Sequence, residues 1–298
     1  ELMPPPGSPA IPWSSLRTPH AALEELGVDV NAVPCVARHA GEDAALHQLQ
    51  RFVTDVSGGL HGFRASRHDA GLSRHGRSEL SAYLHFGHIG ALTIACAVQE
   101  SNAHADDKEA FLDGLCVRRE LARNMVWYDT SYDKYEGVPE WARSSLDEHT
   151  SDKRSQLLVL HQLELAQSPD HAWNSAQREL LATGTMHNRL RMYWCKQLLI
   201  WHSSPAEAFA VAVELNDRWM LDGRDPNGYM GIAWCFGRHD EPFAERDIFG
   251  KVRSMTLAGL KSKIDLPAYI ARVDKLCREA SVASAPLQNL LKKAAPPG

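Results

Sequence analysis

The most informative part of this 298-residue sequence is the segment Leu221-Asp222-Gly223-Arg224-Asp225-Pro226-Asn227-Gly228-Tyr229. It follows three tryptophans, Trp173, Trp194 and Trp201. Trp194 and Trp201 are seven residues apart, which is two helical turns and about 10 Å along a helix axis. Trp173 falls on what the pattern predicts to be the preceding helix. Indoles at such separations could pass an electron, but aromatic residues at helical spacing also commonly form hydrophobic core, and spacing alone leaves both interpretations open.

Helical periodicity dominates the rest of the chain. Residues 42–57 place apolar side chains on one stripe at spacings of three and four, namely Ala45, Leu46, Leu49, Phe52, Val53 and Val56. Further helices are predicted at about 88–101, 108–128, 154–166, 174–183, 187–202, 205–220 and 267–280. Ser204 marks the start of the 205–220 helix, because it is a good N-cap, Pro205 suits the first position and Glu207 completes a capping box.

We expect an all-α fold, because no sustained alternation of apolar and polar residues predicts strands. No internal repeat of about 20–50 residues is present. Residues 1–40 are predicted to form an extended or irregular arm, since five prolines stand within the first 14 residues. Residues 41–280 are expected to form one helical domain. Residues 281–298, which end in Ala-Ala-Pro-Pro-Gly, are expected to be a fraying C-terminal tail.

The composition is that of a soluble globular protein, with 23% charged and 44% hydrophobic residues. The sequence contains no apolar run of about 18 residues or more, so no membrane span is predicted, and no signal peptide is visible. The six cysteines form no CxxC pair, which argues against zinc ribbons and redox motifs. We therefore expect no metal, no membrane association and a reduced, cytoplasmic compartment, with a monomer as the simplest oligomeric state.

The net charge of -5 argues against a generic nucleic-acid binder, which is usually basic. Three basic clusters could nevertheless converge into a local groove. They are Arg64, Arg67, Arg74 and Arg77; Arg118, Arg119 and Arg123; and Lys251, Arg253, Lys261 and Lys263. A solvated helix face explains each cluster equally well, so DNA binding would require the clusters to meet in space.

Longer motifs give the tryptophans and the 221–229 segment a common context. They are Leu80-Ser81-Ala82-Tyr83-Leu84-His85-Phe86-Gly87, Val117-Arg118-Arg119-Glu120-Leu121, His171-Ala172-Trp173-Asn174-Ser175-Ala176-Gln177, Thr185-Met186-His187-Asn188-Arg189-Leu190-Arg191-Met192-Tyr193-Trp194, Leu215-Asn216-Asp217-Arg218 and Glu245-Arg246-Asp247-Ile248-Phe249-Gly250-Lys251-Val252-Arg253. In order and spacing, from about residue 41 to 273, they resemble class II DNA photolyases of the photolyase/cryptochrome superfamily. The resemblance implies a helical FAD-binding domain, without the N-terminal α/β antenna domain, for which residues 1–40 are too short.

The resemblance implies FAD as the cofactor. Hydroxyls and backbone N–H groups would hold its phosphates in the segment with Ser78, Leu80 and Ser81, although an ordinary helix N-cap would explain the serines as well. Electrons would reach the flavin through a relay in which Trp194 lies nearest to it, followed by Trp173 and Trp201.

Three further residues are implied to act directly at the flavin ring. Arg191 and Asp222 would form an ion pair beside the isoalloxazine, with Gly223 adjoining it, and the cation would stabilise the anionic reduced flavin. Asn216 would face flavin N5, where an amide serves either protonation state. Without the resemblance, a structural salt bridge and an Asn near a helix C-terminus would explain these residues.

The resemblance also implies a pocket for a pyrimidine dimer that is flipped out of the duplex. Trp234 matches a tryptophan that packs on the dimer, and stacking on an aromatic ring contributes about 1–3 kcal/mol per base. Arg118 would face Trp234 across the pocket. Lys251 and Arg253 would contact the DNA backbone or the gap left in the duplex. A core indole and solvated surface charges are the alternatives for these residues.

Two positions depart from the family pattern. The family has two acidic residues where Asp113 and Gly114 stand, and the second hydrogen-bonds the dimer. Gly114 cannot do so, and on an α-helix Asp113 would point about 100° away. A glycine within a helix costs about 1 kcal/mol relative to alanine, which a widened pocket would explain. The loop after Trp234 is a residue shorter than in the family, and Glu241 gives it a negative charge where DNA is expected.

Three functions remain open. A light-dependent repair lyase would split pyrimidine dimers in DNA by electron transfer from excited reduced FAD, without net redox change. A cryptochrome-like photoreceptor or a light-driven flavoenzyme with a non-DNA ligand is favoured by Gly114, Glu241 and the net acidity. A helical interaction module that has lost FAD is opposed by the intact flavin and tryptophan residues. Repair ranks first, because Trp234, Arg118 and Arg253 accompany that set.

Overall fold

The structure is a computed structural model that describes residues 38–68 and 77–295, together with residues 23, 26–28 and 36. The chain divides into two units, Glu1–Cys35 and Val36–Gly298. Within the first unit, the Val28 N–H donates to the Leu23 carbonyl at 2.9 Å. The predicted arm at residues 1–40 otherwise lies almost wholly outside the described residues, as does Arg74. Every predicted site residue belongs to the second unit.

The described part of the second unit begins with six α-helices and one π-helical turn. These elements are α1 (Glu42–Thr54), α2 (Phe63–Ser66), α3 (Ser81–His85), α4 (Ala91–Glu100), α5 (Ala105–Leu112), the π-helix (Asp113–Arg118) and α6 (Arg119–Tyr128). The sequence predicted one helix at 108–128, and the chain there is indeed helical from Ala105 to Tyr128. The π-helix widens its middle, and such turns are frequent at functional sites.

The second half of this unit contains the longest helices. A short 3-10 turn (Tyr135–Gly137) precedes α7 (Glu140–Glu148), α8 (Leu160–Glu164), α9 (His171–Thr183), α10 (Asn188–Trp201), α11 (Pro205–Trp219), α12 (Pro226–Cys235), α13 (Leu257–Lys261), α14 (Leu266–Ala283) and α15 (Ala285–Lys293). The expected all-α fold is therefore confirmed, and the β-structure within the described ranges is one isolated bridge between Arg246 and Gly250. None of the described helices combines the length and apolar character needed to cross a bilayer.

The predicted start of the 205–220 helix is confirmed in detail. The Ser204 hydroxyl accepts a hydrogen bond from the Glu207 N–H at 3.2 Å. The Glu207 carboxylate, however, accepts from the Ser203 hydroxyl at 2.7 Å and the Ser203 N–H at 3.3 Å, one residue before the cap. The box therefore closes one residue earlier than the sequence pattern predicts, and it still satisfies donors that the helix start leaves free.

Three predicted boundaries are wrong. The first helix ends at Thr54 rather than at 57, and Val56 is 80% exposed instead of extending the buried stripe. The helix predicted at 154–166 is reduced to α8, because the Leu158 N–H pairs with the Trp201 carbonyl at 3.0 Å in an extended segment. The expected fraying tail instead contains α15, where Leu287 and Leu291 are buried.

Two hydrophobic cores position the site. The smaller core is formed mainly by α1, α4 and α5 and includes Leu80, Phe111 and Leu115. The larger core is formed mainly by α9, α10, α11, α14 and α15 and includes Met186 and Met220. All five of these residues also line one cavity, which therefore lies where the two cores meet.

Candidate active site

A cavity of about 610 Å³ opens between the two cores, within the usual size range of cofactor and ligand sites. Its lining brings together residues that are far apart in sequence and that the motifs singled out: Ser78, Leu80, Ser81, Gly114, Arg118, Arg191 and Asp222. Asn216 and Gly223 lie behind this lining rather than in it. Trp234, Lys251 and Arg253 are also outside the lining.

Arg191 joins two of the predicted catalytic residues at the cavity wall. Its Nη1 lies 3.5 Å from both carboxylate oxygens of Asp222, which is long for a bidentate pair. Its Nη2 donates to Oδ1 of Asn216, a side chain that is 1% exposed. The guanidinium thus bridges a buried amide and a partly exposed carboxylate, and it presents a positive charge to the cavity.

Asp217 fixes the orientation of the Asn216 amide, a role that the sequence did not predict. Its Oδ1 accepts from Asn216 Nδ2 at 2.8 Å and from the Arg224 N–H at 3.1 Å. Its Oδ2 accepts from the Tyr229 hydroxyl at 2.8 Å. Burial and this bond to the carboxylate raise the pKa of Tyr229, so the hydroxyl remains a donor. In the sequence, the only indication of this role is that Asp217 directly follows Asn216 in the motif Leu215-Asn216-Asp217-Arg218.

Two glycines in the 221–229 segment permit close backbone approach. A Cβ on Gly228 would lie 2.9 Å from Asn216 Nδ2, and a Cβ on Gly223 would lie 2.8 Å from the Asp217 carbonyl oxygen. Neither position accommodates a side chain. At the start of the segment, the Leu221 N–H donates to the Gly184 carbonyl at 2.8 Å, which holds it against the end of α9. Close packing therefore explains why position 223 requires glycine, and contact between Gly223 and a cofactor stays a prediction.

The three predicted relay tryptophans are in contact and buried, with 0%, 1% and 3% exposure for Trp173, Trp194 and Trp201. Trp173 lies between the other two. Its ring stacks on Trp194, with centroids 6.0 Å apart and an interplanar angle of 6°, and meets Trp201 edge to face at 5.3 Å. Trp173 Nε1 donates to the Trp194 carbonyl and Trp194 Nε1 to Gln177 Oε1, each at 2.9 Å. The three rings are thus in contact in the order Trp194, Trp173, Trp201, and their role as an electron relay stays a prediction.

A buried carboxylate holds the segment that contains Ser78, Leu80 and Ser81. Glu179, on α9, is 1% exposed and pairs with Arg77 at 3.3 Å and Arg272 at 2.9 Å. It also accepts from the Tyr269 hydroxyl at 2.7 Å. Burial alone would raise the pKa of Glu179, but the two arginines and Tyr269 outweigh it and lower that pKa. Arg77 directly precedes Ser78, so Glu179 anchors the predicted phosphate segment to α9, a role that helical periodicity did not reveal.

His187 lines the cavity and caps α10. Its Nδ1 accepts from the Arg189 N–H at 3.1 Å, so this nitrogen is unprotonated in the capped form. Burial, and then the charge of Arg77, lower its pKa to about 4. The imidazole is therefore neutral at physiological pH and acts as a cap rather than as a cation.

The segment predicted to border the dimer is a π-helix rather than the regular α-helix expected from the sequence. Gly114 and Arg118 belong to the π-helix, whose bonds join residues five apart, so the 100° offset expected for Asp113 does not apply. Arg118 Nε instead donates to Asp113 Oδ2 at 2.8 Å, with the Arg118 side chain 57% exposed. A Cβ on Gly114 would meet no atom within 4 Å, which agrees with the open space expected there.

The other predicted DNA contacts lie at the end of α12 and on the segment that follows it. Trp234 is half-buried, and its Nε1 donates to Asp240 Oδ1 at 3.0 Å. The exposed Arg253 guanidinium lies 5.4 Å from the centre of the Phe243 ring. Lys251 is exposed as well. Their contacts with DNA, and the placement of Arg118 opposite Trp234 across a dimer, stay predictions.

Comparison with known proteins gives a consistent set of relatives, although no family model matches the chain. The chain is 47% identical over 202 residues to the deoxyribodipyrimidine photo-lyase of Methanothermobacter thermautotrophicus, an alignment that covers 68% of this chain and 44% of the relative. It is 42% identical over 252 residues to the deoxyribodipyrimidine photo-lyase of Oryza sativa subsp. japonica, covering 82% of this chain and 49% of that protein. The chain thus spans about half the length of the curated relatives it matches.

A solved structure supports the fold independently. A class III photolyase from Agrobacterium tumefaciens superimposes with a TM-score of 0.59, covering 87% of this chain and 51% of that one. The sequence identity is 18%, so this likeness concerns the helical fold alone. It agrees with the helical domain that the sequence motifs predict.

Proposed function

We propose, from the similarity of this chain to deoxyribodipyrimidine photo-lyases, that it is a light-driven flavoprotein of the photolyase superfamily that splits pyrimidine dimers in DNA. The quoted motifs favour the class II branch. The reaction is a lyase reaction, because the cyclobutane ring opens without net oxidation or reduction. One observation carries the proposal: a single cavity brings the predicted phosphate segment, Arg191 and Asp222 together with Gly114 and Arg118 at its lesion side.

The chemistry of the cavity lining fits FAD. Five arginines line it (Arg67, Arg77, Arg118, Arg119 and Arg191) against three carboxylates (Glu79, Asp222 and Asp225), although the chain as a whole carries a net charge of -5. Such a local excess of positive charge suits a pyrophosphate and an anionic reduced ring. The Ser78 and Ser81 hydroxyls add neutral donors that need no glycine-rich loop.

The residues around Arg191 would set the charge state of the bound cofactor. Reduced FAD would supply the electron donor that blue or near-ultraviolet light excites. Arg191 would favour the anionic form through its positive charge. Asn216 uses one amide N–H for Asp217 and keeps a second, because a carboxamide has two such donors. Asp217 would thereby hold the remaining N–H in one direction, toward the position proposed for flavin N5.

The tryptophans would keep the cofactor reduced. Trp194 lies three residues after Arg191 on α10, so both residues face nearly the same way on the helix. Trp173 and Trp201 continue the contact away from Trp194. Within the described part of the chain, the Trp201 indole N–H has no hydrogen-bond partner, unlike those of Trp173 and Trp194. The relay would therefore end at Trp201, the member whose polar atom the fold leaves free.

The proposal is tested by repair of a defined lesion. An oligonucleotide with one thymine dimer is mixed anaerobically with FAD-reduced protein and illuminated, and recovery of thymine ultraviolet absorbance is followed. We expect recovery that requires both light and reduced flavin. A photoreducible flavoprotein that gives no recovery would contradict dimer repair, and a protein that cannot retain FAD would contradict the flavoprotein assignment itself.

The second candidate is a cryptochrome-like photoreceptor or a light-driven flavoenzyme with a non-DNA ligand. It is favoured by Gly114, which has no group to bond a dimer, and by the exposed Glu241 in the loop after Trp234. Salt-dependent binding distinguishes the two. A dimer-specific repair enzyme binds dimer-containing DNA more tightly than undamaged DNA and loses affinity as salt rises, whereas the second candidate shows no preference for the dimer.

A further inference from the structure

A buried lysine joins the two segments on which the predicted DNA contacts lie. Lys196, on α10, is 1% exposed. Its Nζ donates to the carbonyl oxygen of Cys235 at 2.8 Å and to that of Arg253 at 2.5 Å. In the described part of the chain no carboxylate forms an ion pair with it. Burying an ammonium without such a partner is strongly unfavourable, and the two hydrogen-bonded carbonyls offset part of that cost.

The first carbonyl closes a helix end. Cys235 is the last residue of α12, and the last carbonyls of a helix have no partner within the helix. A cation at this end also interacts favourably with the helix dipole. Trp234, the proposed stacking residue, directly precedes Cys235. The ammonium therefore fixes the backbone from which Trp234 projects.

The second carbonyl belongs to a segment that is held at three points. Besides the bond from Lys196 to Arg253, Gln197 Nε2 donates to the Met255 carbonyl at 2.7 Å. The Lys251 N–H donates to the Ser145 hydroxyl at 2.8 Å. All three bonds use backbone atoms of residues 251–255. The basic side chains of Lys251 and Arg253 are exposed and remain available for a partner.

We propose that Lys196, assisted by Gln197, is a positioning residue that fixes Trp234 and Arg253 relative to the flavin cavity. The inference rests on the proposed function, because it assumes that these two residues contact DNA. Lys196 is on the same helix as Arg191 and Trp194. A single rigid element thus carries the cofactor residues on one part of its surface and anchors the DNA-contacting backbone on another. A hydrocarbon side chain at position 196 would fill the space but could not join two carbonyls from segments eighteen residues apart.

The test compares Lys196→Met with Lys275→Met, a matched change at a lysine that is 71% exposed. We expect Lys196→Met to lower the affinity for a dimer-containing oligonucleotide by about tenfold, since a binding surface that is no longer pre-organised must be ordered on binding. Retention of FAD and the rate of flavin photoreduction should equal those of Lys275→Met. Hydrogen exchange at the amides of residues 235–243 and 251–256 should be faster in Lys196→Met.

Each other result overturns the inference. Equal dimer affinity in the two variants would show that Lys196 does not position the surface. A parallel loss of FAD, photoreduction and DNA binding would assign Lys196 a general role in core stability. If Lys196→Met does not fold, Gln197→Leu takes its place, and an unchanged affinity and exchange pattern in that variant would contradict the proposal.

Failure of the proposed function gives a different pattern. If the unmodified chain shows no preference for dimer-containing DNA, repair is contradicted before any variant is compared. The positioning role is then decided by hydrogen exchange alone, which needs no DNA. Unchanged exchange in residues 235–243 and 251–256 of Lys196→Met would reject it.

Discussion

The side of the cavity proposed for the flavin, with Arg191, Asn216 and Asp222, and the side proposed for the lesion, with Gly114 and Arg118, are built in opposite ways. On the side proposed for the flavin, Asn216 and Trp194 are each 1% exposed, and the Asn216 amide oxygen and the Trp194 indole N–H both have partners within the protein. On the lesion side, Arg118 is 57% exposed and Gly114 borders open space. The difference indicates that folding alone fixes the proposed electron-handling residues, whereas the proposed lesion site is left for its ligand to complete.

The physical reason lies in what each side must do. Charge stabilisation within a buried site is strongest when dipoles and charges are already in place, because no reorganisation is then needed. Binding of a charged polymer requires basic groups that reach solvent. If this comparison is correct, substitutions on the flavin side should affect redox chemistry and stability together. Substitutions on the lesion side should affect binding with little change in stability.

The largest effect is expected for Trp194→Phe. The rate of FAD photoreduction should fall to nearly that of a protein with no tryptophan relay. Repair by chemically pre-reduced protein should persist. Loss of the indole N–H leaves Gln177 Oε1 without its donor, which should lower the free energy of unfolding by about 1–3 kcal/mol. Photoreduction is followed by the flavin absorbance under steady illumination.

The matched control is Trp219→Phe, a buried tryptophan outside the relay whose Nε1 donates to Glu164 at 3.3 Å. It should cost similar stability but leave photoreduction intact. If both variants photoreduce equally well, Trp194 does not belong to the relay.

Acid should lower the free energy of unfolding through protonation of His187, which lines the cavity. Its folded-state pKa of about 4 lies below the ordinary value of 6.5, because of burial and the charge of Arg77. The unfolded chain therefore binds the proton first as the pH falls. The resulting stability is complete above pH 6.5 and is lost as the pH drops toward 4, by about 3 kcal/mol in total.

Urea unfolding between pH 7 and pH 4 measures this loss. His187→Gln, which retains an acceptor at the cap, should remove that part of the pH dependence. The control is His104→Gln at the exposed N-cap of α5, where Nδ1 accepts from the Asp106 N–H at 3.3 Å. An identical pH dependence in both variants would contradict the assignment to His187.

Asn216→Asp should destabilise the anionic reduced flavin. The new carboxylate would lie beside Asp217, where the amide now donates at 2.8 Å, and would add negative charge near the proposed flavin N5. A shift on the order of 1–2 kcal/mol against the anionic form is expected, measured by spectroscopic redox titration. Asn124→Asp, at an exposed position on α6, controls for the change in net charge. If both variants show the same redox behaviour, the proposed role of Asn216 is contradicted.

Gly114→Glu should raise the affinity for dimer-containing DNA. The open space at this position accepts a side chain, and a new hydrogen bond to the dimer should raise affinity by about two- to tenfold. Gly114→Ala is the control, because it brings the same gain in helix propensity without the carboxyl group. Dimer affinities that do not differ between the two variants would show that this part of the cavity binds something else.

The smallest effect is expected for Arg118→Ala. Its ion pair with Asp113 is exposed, so the free energy of unfolding should change by less than about 1 kcal/mol. If Arg118 contacts a phosphate, the salt dependence of DNA binding should become shallower by about one unit of slope. Arg123→Ala, at a 52% exposed position on α6, is the comparison. If the salt dependence of DNA binding is unaltered in Arg118→Ala, Arg118 does not contact a DNA phosphate.

Local sequence patterns predicted local structure well. The cap at Ser204 and the helices with strong apolar stripes lie close to where the sequence placed them, because capping bonds and helical spacing involve residues a few positions apart. The predictions were wrong where a distant partner decides. Leu287 and Leu291 form a helix because the larger core covers their apolar face, which a proline-containing tail does not reveal.

The sequence by itself determined the helical fold class, and it singled out several residues that the fold brings to one cavity, among them Ser78, Leu80, Arg191 and Asp222. Only the tertiary structure decided how those residues are supported. Asp217 on the Asn216 amide, Glu179 under Arg77 and Lys196 between two carbonyls each satisfy a buried polar group. Which atoms are buried together, and therefore which of them need a partner, is fixed only when the helices pack.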